Sequence, residues 1–169
     1  MSAVLNIRRS EISADTVRNM PYVDFISLLN ETNRCPGGVD TLRRIALNAF
    51  IGPTSSVLEI GSNTGFSSLE TAKIARCKVV GIDPVPAAVQ QSNAALAREP
   101  EEVRNLVTFQ VGSAYALDFE DECFDLLITG GATSFMTDKG KAVSEYYRVL
   151  KNYGFLSVAH LYYLSLIHI

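Results

Sequence analysis

Four short segments of this chain are apolar almost throughout: "SSVLEIG" (55–61), "KVVGID" (78–83), "LVTFQV" (106–111) and "FDLLIT" (124–129). Helical patterns over 65–76 and 86–98 separate the first three, and a polar stretch precedes the fourth. A strand that is apolar on both faces has to be covered on both faces. Parallel strands joined by crossover helices achieve that. A further helix over 138–151, stopped by Asn152 and Gly154, is expected to lead into a fifth strand, "GFLSVAHLYY" (154–163). The expected fold class is α/β, with a doubly wound parallel sheet.

Upstream of residue 51 the pattern is helical. Residues 1–12 read as a loose arm. Residues 13–30 read as helix, restarted at Pro21, with Tyr22, Phe25, Ile26 and Leu29 on one face. "NRCPGG" (33–38) is a loop, and Asp40 is placed to cap a helix through Phe50 with Leu42, Ile45, Ala46 and Ala49 inward. The expected organisation is a helical cap over 1–50 and the sheet domain over 51–163. Residues 164–169, "LSLIHI", back-translate to a string that resembles a transposon end used as a sequencing adapter. Native sequence is therefore expected to end near Tyr163, and His168 is set aside.

The net charge is −3 and no run of Lys or Arg forms a stripe, so nucleic acid is not the expected partner. No stretch approaches the roughly 20 apolar residues of a membrane span, and no apolar run follows the charged start. Three cysteines, Cys35, Cys77 and Cys123, form no C-x-x-C pair. Free thiols in a reducing cytoplasm are expected, with no metal site.

In an open parallel sheet, ligands sit beyond the carboxyl ends of the strands. The first strand is followed there by Gly61, Ser62, Asn63, Thr64 and Gly65, and the second by Asp83 and Pro84. The third is followed by Gly112, Ser113 and Ala114, the fourth by Thr129, Gly130 and Gly131. Glycines let a backbone approach a ligand closely. A carboxylate about 20 residues past the first glycine can accept both hydroxyls of a ribose. One owner of this pattern is a dinucleotide oxidoreductase, whose G-x-G-x-x-G turn holds a pyrophosphate. Here the turn reads G-S-N-T-G-F, and Glu59 stands two residues before it. An acid there repels a pyrophosphate. It suits a nucleoside carrying positive charge, such as S-adenosylmethionine, and such a ligand would give a buried carboxylate the partner it needs.

Taken together, these segments resemble the class I S-adenosylmethionine-dependent methyltransferases. "VLEIGSNTG" is similar to the family's first motif, with Asn63 in place of its middle glycine, and "VVGIDPVPAAV" to its second. "FDLLITGGATSF" resembles the fourth-strand motif. "KAVSEYYRVLKNYGFLSV" resembles the segment usually read R-V-L-K-P-G-G, with Asn152-Tyr153 replacing Pro-Gly. The resemblance spans residues 56–160. It implies a Rossmann-like sheet with five strands present and the family's strands 6 and 7 lacking, which leaves the fifth strand as an open edge prone to self-association. It implies that Glu59 faces the methionine amino end of the cofactor, that Gly61 and Gly65 admit its backbone, and that Asp83 binds the ribose with Pro84 or Val85 against the adenine. The family's adenine-binding acid after the third strand is Ser113 here.

Other readings stand beside these. Asp83 could simply cap the helix over 86–98, and Glu59 could be a solvated strand-end acid. Asp125 is expected to be structural, "EDE" (120–122) a wet loop, Tyr146 and Tyr147 packing, and Cys77 and Cys123 small buried apolar groups. His160 is a candidate base without a second signal. The expected acceptor is a small molecule, approached through a lid formed by the Tyr22–Phe25 helix and the 33–38 loop. A nicotinamide-dependent oxidoreductase and a non-catalytic nucleoside binder remain as alternatives.

Overall fold

The computed structural model describes residues 13–19 and 37–158. From residue 38 onward helices and strands are interleaved, except that the strand at Val107–Val111 runs to the strand at Phe124–Thr129 without a helix between them. The elements are α1 (Ala14–Asn19), α2 (Gly38–Asn48), β1 (Ser56–Ile60), α3 (Phe66–Ala75), β2 (Lys78–Asp83) and α4 (Pro86–Leu96). They continue with α5 (Glu101–Arg104), β3 (Val107–Val111), β4 (Phe124–Thr129), a 3-10 helix (Ala132–Phe135), α6 (Lys139–Val149) and β5 (Leu150–Val158). The five strands form one sheet in the order β3-β2-β1-β4-β5, with every neighbouring pair parallel. This is the expected α/β, Rossmann-like doubly wound architecture.

The alternation of side chains along each strand divides the core in two. Val57, Val79, Phe109, Leu126 and Ile128 point to one face, where Leu69 and Ala72 of α3, Val89 of α4 and Val103 of α5 cover them. Leu58, Ile60, Ile82 and Leu127 point to the other, where Ala142, Tyr146 and Val149 of α6 cover them. Helix α2 closes the first face with Leu42 and Ala46 buried and Ile45 partly buried, the expected stripe. Pro86 opens α4 at its first turn, where its missing N–H costs nothing.

Some local expectations fail for identifiable reasons. Asp40 does not cap α2. The helix begins at Gly38 behind Gly37, whose φ of 78° makes the turn, and the Asp40 carboxylate instead accepts from Arg43 at 2.9 Å. Helix α6 does not run to residue 151, and Asn152 and Gly154 do not stop it. Its end is made by β4 and the turn before it: Glu122 and Cys123 donate backbone N–H groups to the carbonyls of Arg148 and Val149, and Leu150 pairs with Phe124. Asn152–Gly154 instead form an irregularity inside β5, with Tyr153 at φ 65°. Asp125 is structural as expected: it accepts from Ser56 N at 2.8 Å and from Lys151 Nζ at 2.9 Å. Cys77 is fully buried and Cys123 half-buried. Tyr146 is buried, but Tyr147 is 83% exposed and packs on little.

Strand β5 is an edge of the described sheet, with Phe155, Leu156 and Val158 partly exposed along it. Tyr22, Phe25, most of the 33–38 loop and His160 lie outside the described residues. No helix among those described is long and apolar enough to cross a membrane.

Candidate active site

The sheet order reverses between β1 and β4, so a crevice opens at their carboxyl ends, where the β1–α3 turn begins. The turn is built on positive φ angles: Gly61 at 75°, Asn63 at 46° and Gly65 at 87°. Asparagine is among the few residues that take this region readily, which is why it can stand where a glycine would be expected. The backbone N–H groups of Gly61 and Ser62 both donate to Ile82 O, at 2.8 and 2.9 Å. The β2 end is therefore the platform on which the turn rests.

Asp83 completes that junction. It is buried, with Oδ2 accepting from Asn63 N at 3.0 Å and Oδ1 from Val85 N at 2.9 Å. Its own carbonyl accepts from Gly112 N at 3.1 Å, which ties the β3 end to the same point. The Val85 contact is a local turn bond ahead of α4, whose N-cap is Val85 with no side-chain cap, so Asp83 is a junction residue and not the helix cap. Two oxygens offer about four acceptor positions, and two N–H groups leave others open.

Glu59 is buried too, which removes the solvated-acid reading. Its partners come from α3: Ser68 Oγ donates to Glu59 Oε2, and the Ser67 hydroxyl and Ser68 N–H also point at the carboxylate. Burial outweighs these donors and, with the nearby Asp83 charge, pushes the Glu59 carboxyl up to about 7. Ser67 and Ser68 were not legible as partners. The available signal was two adjacent hydroxyls in the first turn of a helix that also buries Leu69, Thr71, Ala72 and Ala75.

The two glycines of the turn make room for protein. A Cβ on Gly61 would lie 2.5 Å from Ala132 Cβ, and one on Gly65 would lie 2.7 Å from Phe109 Cζ and 2.9 Å from Ser92 Cβ. The hydroxyls of Ser62 and Thr64 are buried and without a hydrogen-bond partner, as is that of Thr71 in α3, so the turn holds two unpaired polar groups. Pro84 and Gly130 are exposed. Ser113 is exposed and accepts from Tyr115 N, while Ala114 packs inward. Thr129 is fully buried, with its hydroxyl on Thr133 at 2.8 Å. Its side chain faces the core and leaves only its backbone toward the crevice.

Beside the β3 end, a cleft of about 200 Å³ is lined by Ile82, Gln110, Gly112, Ser113, Leu117 and Phe119 among others. Arg148 of α6 holds its outer wall by donating to Leu117 O and Phe119 O, both at 2.8 Å, and to Asp121 Oδ1 at 2.8 Å. Glu145 accepts from Arg148 and from Leu117 N, and these donors hold its carboxyl well below the usual range. The expected wet loop is thus pinned at Asp121. Among the described residues no cluster of His, Cys, Asp and Glu is arranged to hold a metal ion.

Residues 58–158, from the middle of β1 to the end of β5, match the family of methyltransferase domains. The chain belongs to that family. It is 34% identical over 137 residues to the 2-methyl-6-phytyl-1,4-hydroquinone methyltransferase of Synechocystis, an alignment covering 81% of this chain and 37% of that protein. The crystal structure of MccD protein superposes on this methyltransferase domain with a TM-score of 0.68 at 28% identity, over 74% of this chain and 55% of the other. A geranyl diphosphate methyltransferase in complex with S-adenosylmethionine has the same fold, with a TM-score of 0.60 at 19% identity over 68% of this chain and 46% of that one. The chain spans about half or less of the length of the curated relatives it matches.

Proposed function

We propose that this methyltransferase domain binds S-adenosylmethionine across the β1–β2 junction and serves methyl transfer to a small-molecule acceptor. The observation that carries the proposal is the junction itself: a buried carboxylate at the β2 end, with acceptor capacity left over, beside a turn whose Ser62 and Thr64 hydroxyls have no partner. A nucleoside with a polar amino acid tail satisfies both kinds of group. When bound, the cofactor supplies a methyl group activated by sulfonium charge, so little acid–base chemistry is asked of the protein.

The chain's own residues bind and orient. Asp83 accepts from ribose hydroxyls while Asn63 N–H and Val85 N–H keep its carboxylate aimed. Ser62 and Thr64 take the polar tail of the ligand. Pro84 borders the adenine, and Gly112, Ser113, Ala114, Thr129 and Gly130 form the rest of the rim through backbone atoms or, at Ser113, a hydroxyl. Glu59 is engaged by Ser68 and lies beneath the turn. It contributes negative potential to a cationic ligand from inside the protein in place of the open contact suggested by the motif. Holding donor and acceptor aligned can supply roughly 7–11 kcal/mol of a transfer barrier at best.

A small acceptor is supported by the net charge of −3 without a basic stripe, and by a relative named for acting on a hydroquinone. The cap over residues 1–50 would complete the acceptor side. Calorimetric titration of the chain with S-adenosylmethionine, S-adenosylhomocysteine and NAD tests the reading. Micromolar or tighter binding of the first two with none of NAD is expected, and Asp83→Ala should weaken it by about 10- to 100-fold, the worth of hydrogen bonds to a charged group. Preference for NAD would overturn the proposal in favour of a dinucleotide enzyme. Tight binding with no transfer to any acceptor in a screen would favour a nucleoside-binding protein.

A further inference from the structure

The segment after β4 determines how the crevice is closed from the α6 side. Gly131, at φ 111°, turns the chain into the 3-10 helix, and Ala132 then abuts the first glycine of the β1–α3 turn. The segment's apolar anchor is Met136, which packs partly buried against the α6-side core, while Phe135 is 72% exposed. Hydroxyls also hold the segment. Thr133 N donates to Thr129 Oγ1 at 3.3 Å, and the two threonine hydroxyls are 2.8 Å apart. The Tyr146 hydroxyl lies 3.3 Å from Thr133 Oγ1 and donates to Met136 Sδ at 3.3 Å. At the far end, Thr137 N donates to Tyr115 Oη at 3.0 Å.

The ring of Tyr146 is 1% exposed and packs with Leu58 and Leu127. A phenylalanine would fill that space equally well. A buried hydroxyl costs stability unless it is paired, and both partners of this one belong to the same post-β4 segment. The phenol therefore links the inside of α6 to the piece of backbone that sits on the glycine turn.

We propose that Tyr146 is a positioning residue: acting through Thr133, its hydroxyl holds the 131–136 segment down on the β1–α3 turn and so sets the shape of the crevice. Its effect on ligand affinity rests on the binding reading above, whereas its effect on the segment does not. Hydrogen exchange on the ligand-free 169-residue chain reads the second effect directly. In Tyr146→Phe, amides 131–137 should exchange roughly 3- to 10-fold faster, the factor carried by one net hydrogen bond, with β1 and β4 amides unchanged. Thr133→Val should accelerate exchange there at least as much, since it also removes the Thr129 contact, and the double variant should fall short of the product of the two single effects, because both lose the same Tyr146–Thr133 contact. S-adenosylmethionine affinity in Tyr146→Phe should fall by a similar factor. Unchanged exchange at 131–137, uniform acceleration across the whole chain, or accelerated exchange with unchanged affinity would each overturn the proposal. If Tyr146→Phe does not fold, adding Thr133→Val to Thr129→Val, where the Thr129 hydroxyl is already gone and the Tyr146 contact is what Thr133 still holds, must accelerate exchange at 131–137 further, and no further acceleration overturns the proposal. Failure of the wild type to bind S-adenosylmethionine would sink the methyl-transfer reading and leave the exchange result to decide Tyr146.

Discussion

Glu59→Gln is expected to be more stable than the wild type at pH 8, by roughly 3 kcal/mol, and no more stable at pH 4. The Glu59 carboxyl rises from an ordinary 4.5 to about 7 in the folded protein because burial disfavours its charge. Between those values the folded state holds the proton and the unfolded state has released it. Folding stability therefore falls as pH rises through this window. The loss is complete above about 7 and absent below the unfolded value. It amounts to about 1.4 kcal/mol for each pH unit between the folded and unfolded values. Glutamine mimics the protonated acid and its amide oxygen can still accept from Ser68. Every other titrating group is shared, so the difference between the two proteins isolates Glu59. Urea melts at pH 4, 6 and 8 measure it. A Glu59→Gln variant that is less stable at every pH would show that the carboxylate is a net stabiliser. The same variant should bind S-adenosylmethionine less tightly at pH 8, since the negative potential beneath the turn is gone. A stability gain coupled to a loss of binding is the ordinary signature of a group kept for function.

Gly65→Ala is expected to cost about 2–5 kcal/mol. Two independent effects add here. A left-handed φ costs an L residue about 1–2 kcal/mol, and Gly65 sits at 87°. A new methyl would press on the Phe109 ring at 2.7 Å and on Ser92 Cβ at 2.9 Å, and overpacking of this kind costs about 1–3 kcal/mol. Gly38→Ala is the control: its φ is 57°, but nothing lies within 4 Å of the added atom, so only the backbone cost remains. Phe109→Leu in the Gly65→Ala background should recover part of the steric loss and none of the conformational one. Denaturant midpoints that are equal for Gly65→Ala and Gly38→Ala would refute the packing half of this account.

The parallel sheet was legible because apolar content on both faces of 57–60, 79–82 and 126–129 admits few other arrangements. The positions after each strand were legible as a site for the same reason: a doubly wound sheet puts its crevice there. Less was legible where a boundary depends on a distant strand. Asn152 and Gly154 carry the local chemistry of a helix stop, yet α6 ends at Val149 because β4 captures the next residues. The four-residue helix α5 and the 3-10 helix at Ala132–Phe135 are too short to leave a periodic trace.

The order of strands and helices, the glycine turn, and the presence of acids at 59 and 83 were all written in the residues, since these follow from local pattern and spacing. What each acid meets emerged only in the folded chain. Asp83 receives the Asn63 N–H from a turn 20 residues away, whereas Glu59 is answered by the hydroxyl of Ser68 and not by an open crevice. A strand end and the helix after it face each other only once the sheet has brought α3 back over β1. Burial and hydrogen bonding then reach the carboxylate before any ligand does.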